Sequence, residues 1–403
     1  MRICLVSQEY PPETARGGIG TQNYVRSHGL TGLGHEVIVI SHSLNHERHE
    51  YKDGAVRVIR VPGFDERLPI DTEPVRWLTY SVAVATEVRE LHSQTPLDLV
   101  VFPEWGGEGY IHLLNQTEWN HIPTVVHIHG SLSMFSQLMG WPEIDSEFYR
   151  VGTAMESTCL RLADAVSASS QFSRDWCVRH YQLKRESIPV LHTGVDTELF
   201  FPHPILKSNR PNIIFVGNVS ANKGIAILVE AACRLAKEFP ALELQILGRG
   251  DMRLIEEARK KAIAAGFPDL IEFAGYVERK QLPHYLSRAH VFAGLSAFEG
   301  GPGNVYLEAM ACALPVIAPA GTGVSELVKN DETGFLVPPK DLDALIIKLR
   351  ELLSNAELRE SMGEEARQCV LKEAESKVCL KRLENFYRRV ASGEPYAWEA
   401  SCR

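Results

Sequence analysis

The chain has 403 residues and a mass of 45.0 kDa, with 42 Lys+Arg against 51 Asp+Glu and a formal net charge of −9. Its composition, 45% apolar and 23% charged, excludes a disordered, fibrous or coiled protein. An acidic pI near 5.9 argues against a dedicated nucleic-acid binder, which carries a basic footprint.

The length suits two domains, each able to bury a full core without disulfide or metal staples. The charge is unevenly placed. Residues 1–205 carry 16 Lys+Arg and 25 Asp+Glu, a net of −9, while residues 206–403 carry 26 of each. Thirteen of the 15 histidines also fall in the first half. Such a split implies two halves with different tasks. Eight cysteines are present and no Cys-x-x-Cys pair occurs, which implies reduced, structural thiols in a cytoplasmic protein. Met1–Tyr10 is too short an apolar run for a signal peptide, and no stretch approaches the ~20 residues of a membrane span.

Short apolar runs at Ile3–Val6, Val37–Ile40, Val56–Val61, Leu97–Phe102, Thr124–His129, Ala165–Ala168 and Pro189–His192 read as strands. Helical patterns such as Arg76–His92 and Ser146–Ala163 separate several of them. That alternation predicts βαβ units and a parallel sheet. Phe200 to Pro204 and the polar run Lys207 to Pro211 suit a linker, with a boundary near 203–210. The series then restarts with Asn212–Val216, Glu243–Leu247, Ile271–Ala274, His290–Leu295 and Pro315–Pro319, each followed by a helix. The expected division is 1–205, 206–380 and a helical tail over 381–403.

Three segments carry chemistry. Gly17, Gly18 and Gly20 precede a helix beginning near Gln22. The spacing is wrong for a dinucleotide fingerprint, so a nicotinamide cofactor is disfavoured. Two readings stay open: backbone amides at a helix N-terminus that bind an anion, or a tight loop needing glycine for positive φ. Lys223 follows the first strand of the second half and lies at a helix start, where a cation opposes the dipole by ~0.3–1 kcal/mol. A bound anion would offset that cost; a solvated surface lysine is the alternative. The third segment runs from Ser296 to Pro315 and contains Glu299, Gly300, Gly301, Gly303, Asn304, Val305 and Glu308. Free amides at Gly303 and Asn304 can hold a diphosphate. Glu308, about one turn inside, can accept two ribose hydroxyls. The alternative makes Glu299 and Glu308 first-turn acids that satisfy the helix dipole.

With these blocks in this order, the chain resembles the retaining nucleotide-sugar glycosyltransferases of the GT-B fold, family four (glycosyl transferases group 1). The resemblance spans nearly the whole chain. It includes the early glycine loop, His129-Gly130 after a strand, the His192–Phe200 block, Gly217 to Gly224, and the Glu299–Glu308 segment. It implies an α/β architecture of two Rossmann-like domains facing each other across a cleft, with a helical C-terminal tail. It also implies roles for residues. Gly17, Gly18 and Gly20 approach the donor phosphate, His129 lies against the donor sugar, and Lys223 clamps the diphosphate. Glu299 orients sugar hydroxyls and Glu308 holds the ribose. Two departures stand out. Asn218 occupies the place of a usual arginine, for which Arg249 is a candidate substitute. Eight residues, not seven, separate Glu299 from Glu308.

The implied reaction is metal-independent, retaining transfer from a nucleoside-diphosphate sugar to a hydroxyl acceptor, with no cofactor. His127 and His129 alternate along a strand and therefore share a face. His127 reads as support for His129, or as a structural histidine. Glu104 and Trp105, at a strand's end, are candidates for acceptor contact, with a surface loop acid as the alternative for Glu104. A GT-B epimerase or phosphorylase and a non-catalytic sugar-nucleotide binder are the competing readings. The acidic first half disfavours acidic membranes and favours a soluble, cationic or amino-sugar acceptor.

Overall fold

The computed structural model describes residues 1–14, 18–45, 47–63, 72–203 and 207–394. The chain divides into two compact units: Met1–Thr193 together with Cys379–Arg403, and Gly194–Val378.

The first unit is built on seven strands: β1 (Arg2–Val6), β2 (Glu36–Ser43), β3 (His49–Asp53), β4 (Val56–Pro62), β5 (Leu99–Pro103), β6 (Thr124–Ile128) and β7 (Ala165–Ala168). Their order across the sheet is β3-β4-β2-β1-β5-β6-β7. Every pairing is parallel except that of β3 with β4. Central strands buried on both faces read as unbroken apolar runs, which is why Ile3–Val6 was legible. Six helices accompany them: α1 (Gly18–Gly32), α2 (Glu73–Gln94), α3 (Tyr110–Leu114), α4 (Leu132–Met139), α5 (Glu147–Leu162) and α6 (Gln171–Tyr181). Ser146 and Ser170 cap α5 and α6 by accepting the Tyr149 and Ser173 N–H groups at 3.1 and 2.9 Å.

The second unit has six parallel strands: β8 (Asn212–Val216), β9 (Glu243–Leu247), β10 (Ile271–Gly275), β11 (Val291–Ala293), β12 (Val316–Pro319) and β13 (Gly334–Val337). Their order is β10-β9-β8-β11-β12-β13. Its helices are α7 (Ile225–Leu235), α8 (Met252–Ala264), α9 (Leu282–Arg288), α10 (Asn304–Ala311), α11 (Leu342–Ser354) and α12 (Ala356–Glu373). A last helix, α13 (Ser376–Ala391), begins in the second unit and returns to the first. There Leu383, Phe386 and Tyr387 share a core with Leu30 and Val37.

Four expectations change. The first unit ends at Thr193 rather than 205, because Val195 and Phe200 are buried in the second unit's core. The expected 381–403 tail is not a separate element: residues 381–391 are the end of α13, and residues beyond 394 lie outside the described ones. Pro189–His192 forms a single bridge, Ala168 to Val190, not a strand. β3 and β13 were not foreseen: β3 is a charged edge strand and β13 has only four residues.

In the first sheet the chain moves outward from β1 through β2 and returns to β5 on the other side of β1. In the second it moves from β8 to β10 and returns to β11 beside β8. Open α/β sheets bind ligands at the carboxyl ends of strands flanking such a reversal.

Candidate functional site

At the β8/β11 reversal of the second unit, two loops interlock. The Ala297 N–H donates to the Asn222 carbonyl at 2.7 Å. Gly224 has φ 74°, and a Cβ there would overlap the Leu295 carbonyl, so glycine permits the approach. The result places Lys223 Nζ 2.6 Å from Glu299 Oε1. Lys223 ends a short 3₁₀ turn just before α7. Glu299 thus offsets the cation's repulsion from the helix start.

The glycine run after β11 leads into α10. Gly303 precedes that helix with φ 70°, and a Cβ there would lie 2.6 Å from the Tyr306 ring. Asn304 and Val305, both half-buried, form the first turn. Glu308 is the helix's fifth residue and is buried. It is therefore not a solvated first-turn acid. Burial pushes its pKa up, and the Arg279 guanidinium opposes that rise. Glu308 Oε1 accepts from Arg279 Nε and Nη2 at 3.2 and 3.0 Å. Arg279 was missed in the sequence; it also lies over the Phe200 ring at 5.1 Å.

Asn218 is exposed, and its loop is laced to the one carrying Arg249. The Val219 N–H donates to the Arg249 carbonyl at 2.8 Å, and the Asp251 N–H to the Val219 carbonyl at 2.9 Å. The Arg249 guanidinium rests on Tyr276, 4.8 Å from the ring centre. The second unit thus collects these residues at the carboxyl edge of its sheet.

In the first unit, Gly18 opens α1 and the Gly20 N–H donates to Glu9 Oε2 at 3.2 Å. Gly17 lies outside the described residues. His127 is the penultimate residue of β6, and His129 follows the strand. Arg26 Nη2 sits 2.8 Å from His127 Nε2. A guanidinium only donates, so Nε2 is the acceptor and the proton sits on Nδ1, which donates to Ser167 Oγ at 2.8 Å. Burial, then Arg26, pushes both imidazoles well below the usual histidine range. Their ring centres are 4.6 Å apart.

Glu104 corrects the expectation of acceptor contact. It is fully buried. Both its oxygens accept from the His129 N–H at 2.8 Å, and Oε1 also accepts from Gly130 N–H at 2.5 Å. Burial raises its pKa to about 7 against these bonds. Its work in this structure is to hold the turn that carries His129. Buried Glu156 holds the next step, accepting from Leu132 N–H at 3.0 Å and from the Tyr181 hydroxyl at 2.6 Å. Trp105 is half-buried and packs on Trp77 and Phe135, with ring centres 5.5 and 4.9 Å away.

Among the described residues, no group of three or more His, Cys, Asp or Glu is placed to hold a metal ion. No described helix is long and apolar enough to cross a membrane. Cys4, Cys159, Cys177, Cys233, Cys312, Cys369 and Cys379 are free thiols.

Two family models match the chain. "Glycosyltransferase Family 4" covers residues 16–199 and "Glycosyl transferases group 1" covers residues 196–369. A glycogen synthase of Mycobacterium tuberculosis is 26% identical over 385 residues, spanning 91% of this chain and 90% of that protein. A GDP-mannose-dependent alpha-(1-6)-phosphatidylinositol monomannoside mannosyltransferase of the same species is 30% identical over 217 residues, 50% of this chain and 56% of that one. The structure of a sucrose-phosphate synthase from Thermosynechococcus elongatus superposes with a TM-score of 0.81 at 22% identity, over 98% of this chain and 100% of that one. At that identity the last likeness establishes the fold.

Proposed function

The chain belongs to the family 4, group 1 glycosyltransferases of the GT-B fold, and from that premise we propose retaining, metal-independent transfer of a sugar from a nucleoside diphosphate to a hydroxyl acceptor. The observation that carries this reading is the second unit's cluster. A Lys223–Glu299 pair, a glycine-led helix start and a buried Glu308 meet at one sheet reversal.

Glycosyl transfer builds positive charge on the sugar and negative charge on the leaving phosphate. The amides of Asn304 and Val305 and the Lys223 ammonium are suited to receive the departing diphosphate. Arg249 supplies a second cation in the loop laced to Asn218. Glu308 accepts the ribose hydroxyls, and Glu299 turns a donor-sugar hydroxyl while keeping Lys223 in place. His129 is neutral and held by the Glu104 turn, and the family resemblance gives it contact with the donor sugar. Retention has the acceptor hydroxyl attack from the leaving-group face and pass its proton to the departing phosphate, which needs no separate protein base. The name of the mannosyltransferase relative, which specifies GDP-mannose, supports a nucleoside-diphosphate donor.

Thermal shift with UDP-, GDP- and ADP-sugars tests the donor half. A ligand at a hundredfold excess over its Kd stabilises by ~2.7 kcal/mol. One donor class should stabilise the wild type, and Glu308→Ala should remove most of that shift. The anomer formed, read by NMR, tests retention; an inverted product overturns it.

A further inference from the structure

At the amino ends of its strands, the first unit presents a knob beside a groove. Trp119 stands on the connection between α3 and β6 and is 94% exposed, unusual for so large an apolar ring. Its loop is ordered. Asn120 Oδ1 accepts from the Thr117 N–H and hydroxyl at 2.6 and 2.8 Å, and Asn120 Nδ2 donates to the Asn115 carbonyl at 3.2 Å. The Trp119 N–H donates to the Thr117 hydroxyl at 3.3 Å. A turn locked in this way holds the ring out in water, with little backbone freedom left to lose on association.

Two residues further on, His121 lines a groove of about 960 Å³ at the starts of β6 and β7. Leu160, Val166, Leu183, Ile188 and Val390 supply its apolar lining. Exposed Arg161 and Lys184 also line it. Neither has a carboxylate partner among the described residues; the Arg161 guanidinium donates to the Ser157 hydroxyl and the Tyr181 carbonyl at 3.3 and 2.7 Å. The acids of the groove are already matched, Asp164 with His121 at 2.9 Å and Glu394 with Arg389 at 3.9 Å. Glu118, next to the knob, is exposed and has no cationic partner among the described residues. Knob and groove therefore carry opposite, unmatched charges. Two copies that each bear −9 repel broadly, so a contact between them needs local complementarity of this kind.

We propose that this face is a self-association surface: Trp119 of one copy fills the groove of a second, Glu118 meets the groove's Arg161 and Lys184, and a twofold axis repeats the contact. A knob and a hole side by side on one face are self-complementary, as an isologous pair requires. Each indole and the wall it covers remove roughly 300–500 Å² from water. The two contacts together reach roughly 600–1,000 Å², below the ~1,200–2,000 Å² of a stable interface. The dimer is thus weak and concentration-dependent. It leaves the carboxyl ends of the strands open and does not depend on the transferase reading.

The test is sedimentation velocity of the full chain from roughly 1 to roughly 100 μM, the range of a micromolar equilibrium. Wild type should pass from monomer to dimer, and added salt should oppose the change. Trp119→Ser, which removes an aromatic anchor, should raise the dimer Kd at least about thirtyfold. Glu118→Lys and Lys184→Glu should each weaken the dimer, and the double variant should recover part of the loss. All three positions are exposed, so the fold is retained. A wild type that stays monomeric throughout overturns the proposal and leaves the groove to another occupant. Equal dissociation constants for wild type and Trp119→Ser overturn it as well, and so does a charge swap without recovery.

Discussion

Arg279 grips Glu308 through one carboxylate oxygen only, Oε1, with Nε and Nη2 at 3.2 and 3.0 Å. A carboxylate in so buried a position has its pKa raised by desolvation, and the guanidinium is what opposes the rise. The guanidinium therefore favours the charged form of a carboxylate that burial disfavours. Cys312, just past α10, feels that charge, and Arg367 donates to the Ala311 carbonyl at the same helix end.

Arg279→Gln should raise the donor KM about tenfold at neutral pH, the ~1.4 kcal/mol scale of one pKa unit. Without Arg279 the Glu308 pKa climbs further, so the carboxyl is protonated over a wider range. The defect should then shrink as pH rises and grow as it falls. Donor KM against pH for the two proteins checks this; a defect equal at every pH contradicts it.

Lys223→Ala should lower kcat on the order of 10²–10³-fold, the scale for losing one preorganised electrostatic contact in a transition state. It also leaves Glu299 without its 2.6 Å partner. Lys223→Arg keeps the charge and should recover part of the rate. Steady-state kinetics separate the two outcomes, and a Lys223→Ala enzyme with unchanged kcat removes Lys223 from the chemistry.

Glu104 gives a signed pH dependence of stability. Its pKa is about 7 in the folded chain against an ordinary 4.5. The folded state therefore holds more protons than the unfolded state between those values. Stability from this group is full below about pH 4.5 and is lost as pH rises towards 7, on the order of 3 kcal/mol in all. Glu108 and Glu156, also buried with raised pKa values, add in the same direction. Urea unfolding at pH 5 and pH 8 should show a shallower decline for Glu104→Gln than for wild type. Parallel declines would mean that Glu104 stays ionised throughout.

Much of the site was legible because it breaks a local pattern. Glycines interrupt strand-to-helix junctions at Gly224 and at Gly300 to Gly303, and Glu308 is an acid inside a small apolar helix. Arg279 and Arg26 were not legible, because each acquires meaning from a partner far along the chain: Glu308, 29 residues on, and His127, 101 residues on. Glu104 misled for a related reason. An acid at a strand's end resembles an exposed loop residue until the amides of His129 and Gly130, in the turn after the neighbouring strand, close over it. The domain boundary slipped because Phe200 precedes a proline-rich stretch yet is fully buried. Local composition records neither cross-strand hydrogen bonding nor which side of a boundary an aromatic ring enters.

Gly303→Ala should destabilise the second unit by about 1–3 kcal/mol, since φ of 70° and the nearby Tyr306 ring both exclude a Cβ. The same shift moves the Asn304 amide at the helix start. Donor affinity should fall together with the urea midpoint. Loss of stability with wild-type donor binding would separate the helix start from the diphosphate.

The second unit is expected to activate a nucleoside-diphosphate sugar for transfer. The most direct measurement is release of nucleoside diphosphate from UDP-, GDP- and ADP-sugars by purified wild type, Lys223→Ala and Glu308→Ala, with and without a pool of hydroxyl acceptors that includes sugar phosphates. Release from one donor class is expected, stimulated by acceptor and nearly abolished in both variants. Release from none of the donors by wild type, or equal release by all three proteins, would contradict it.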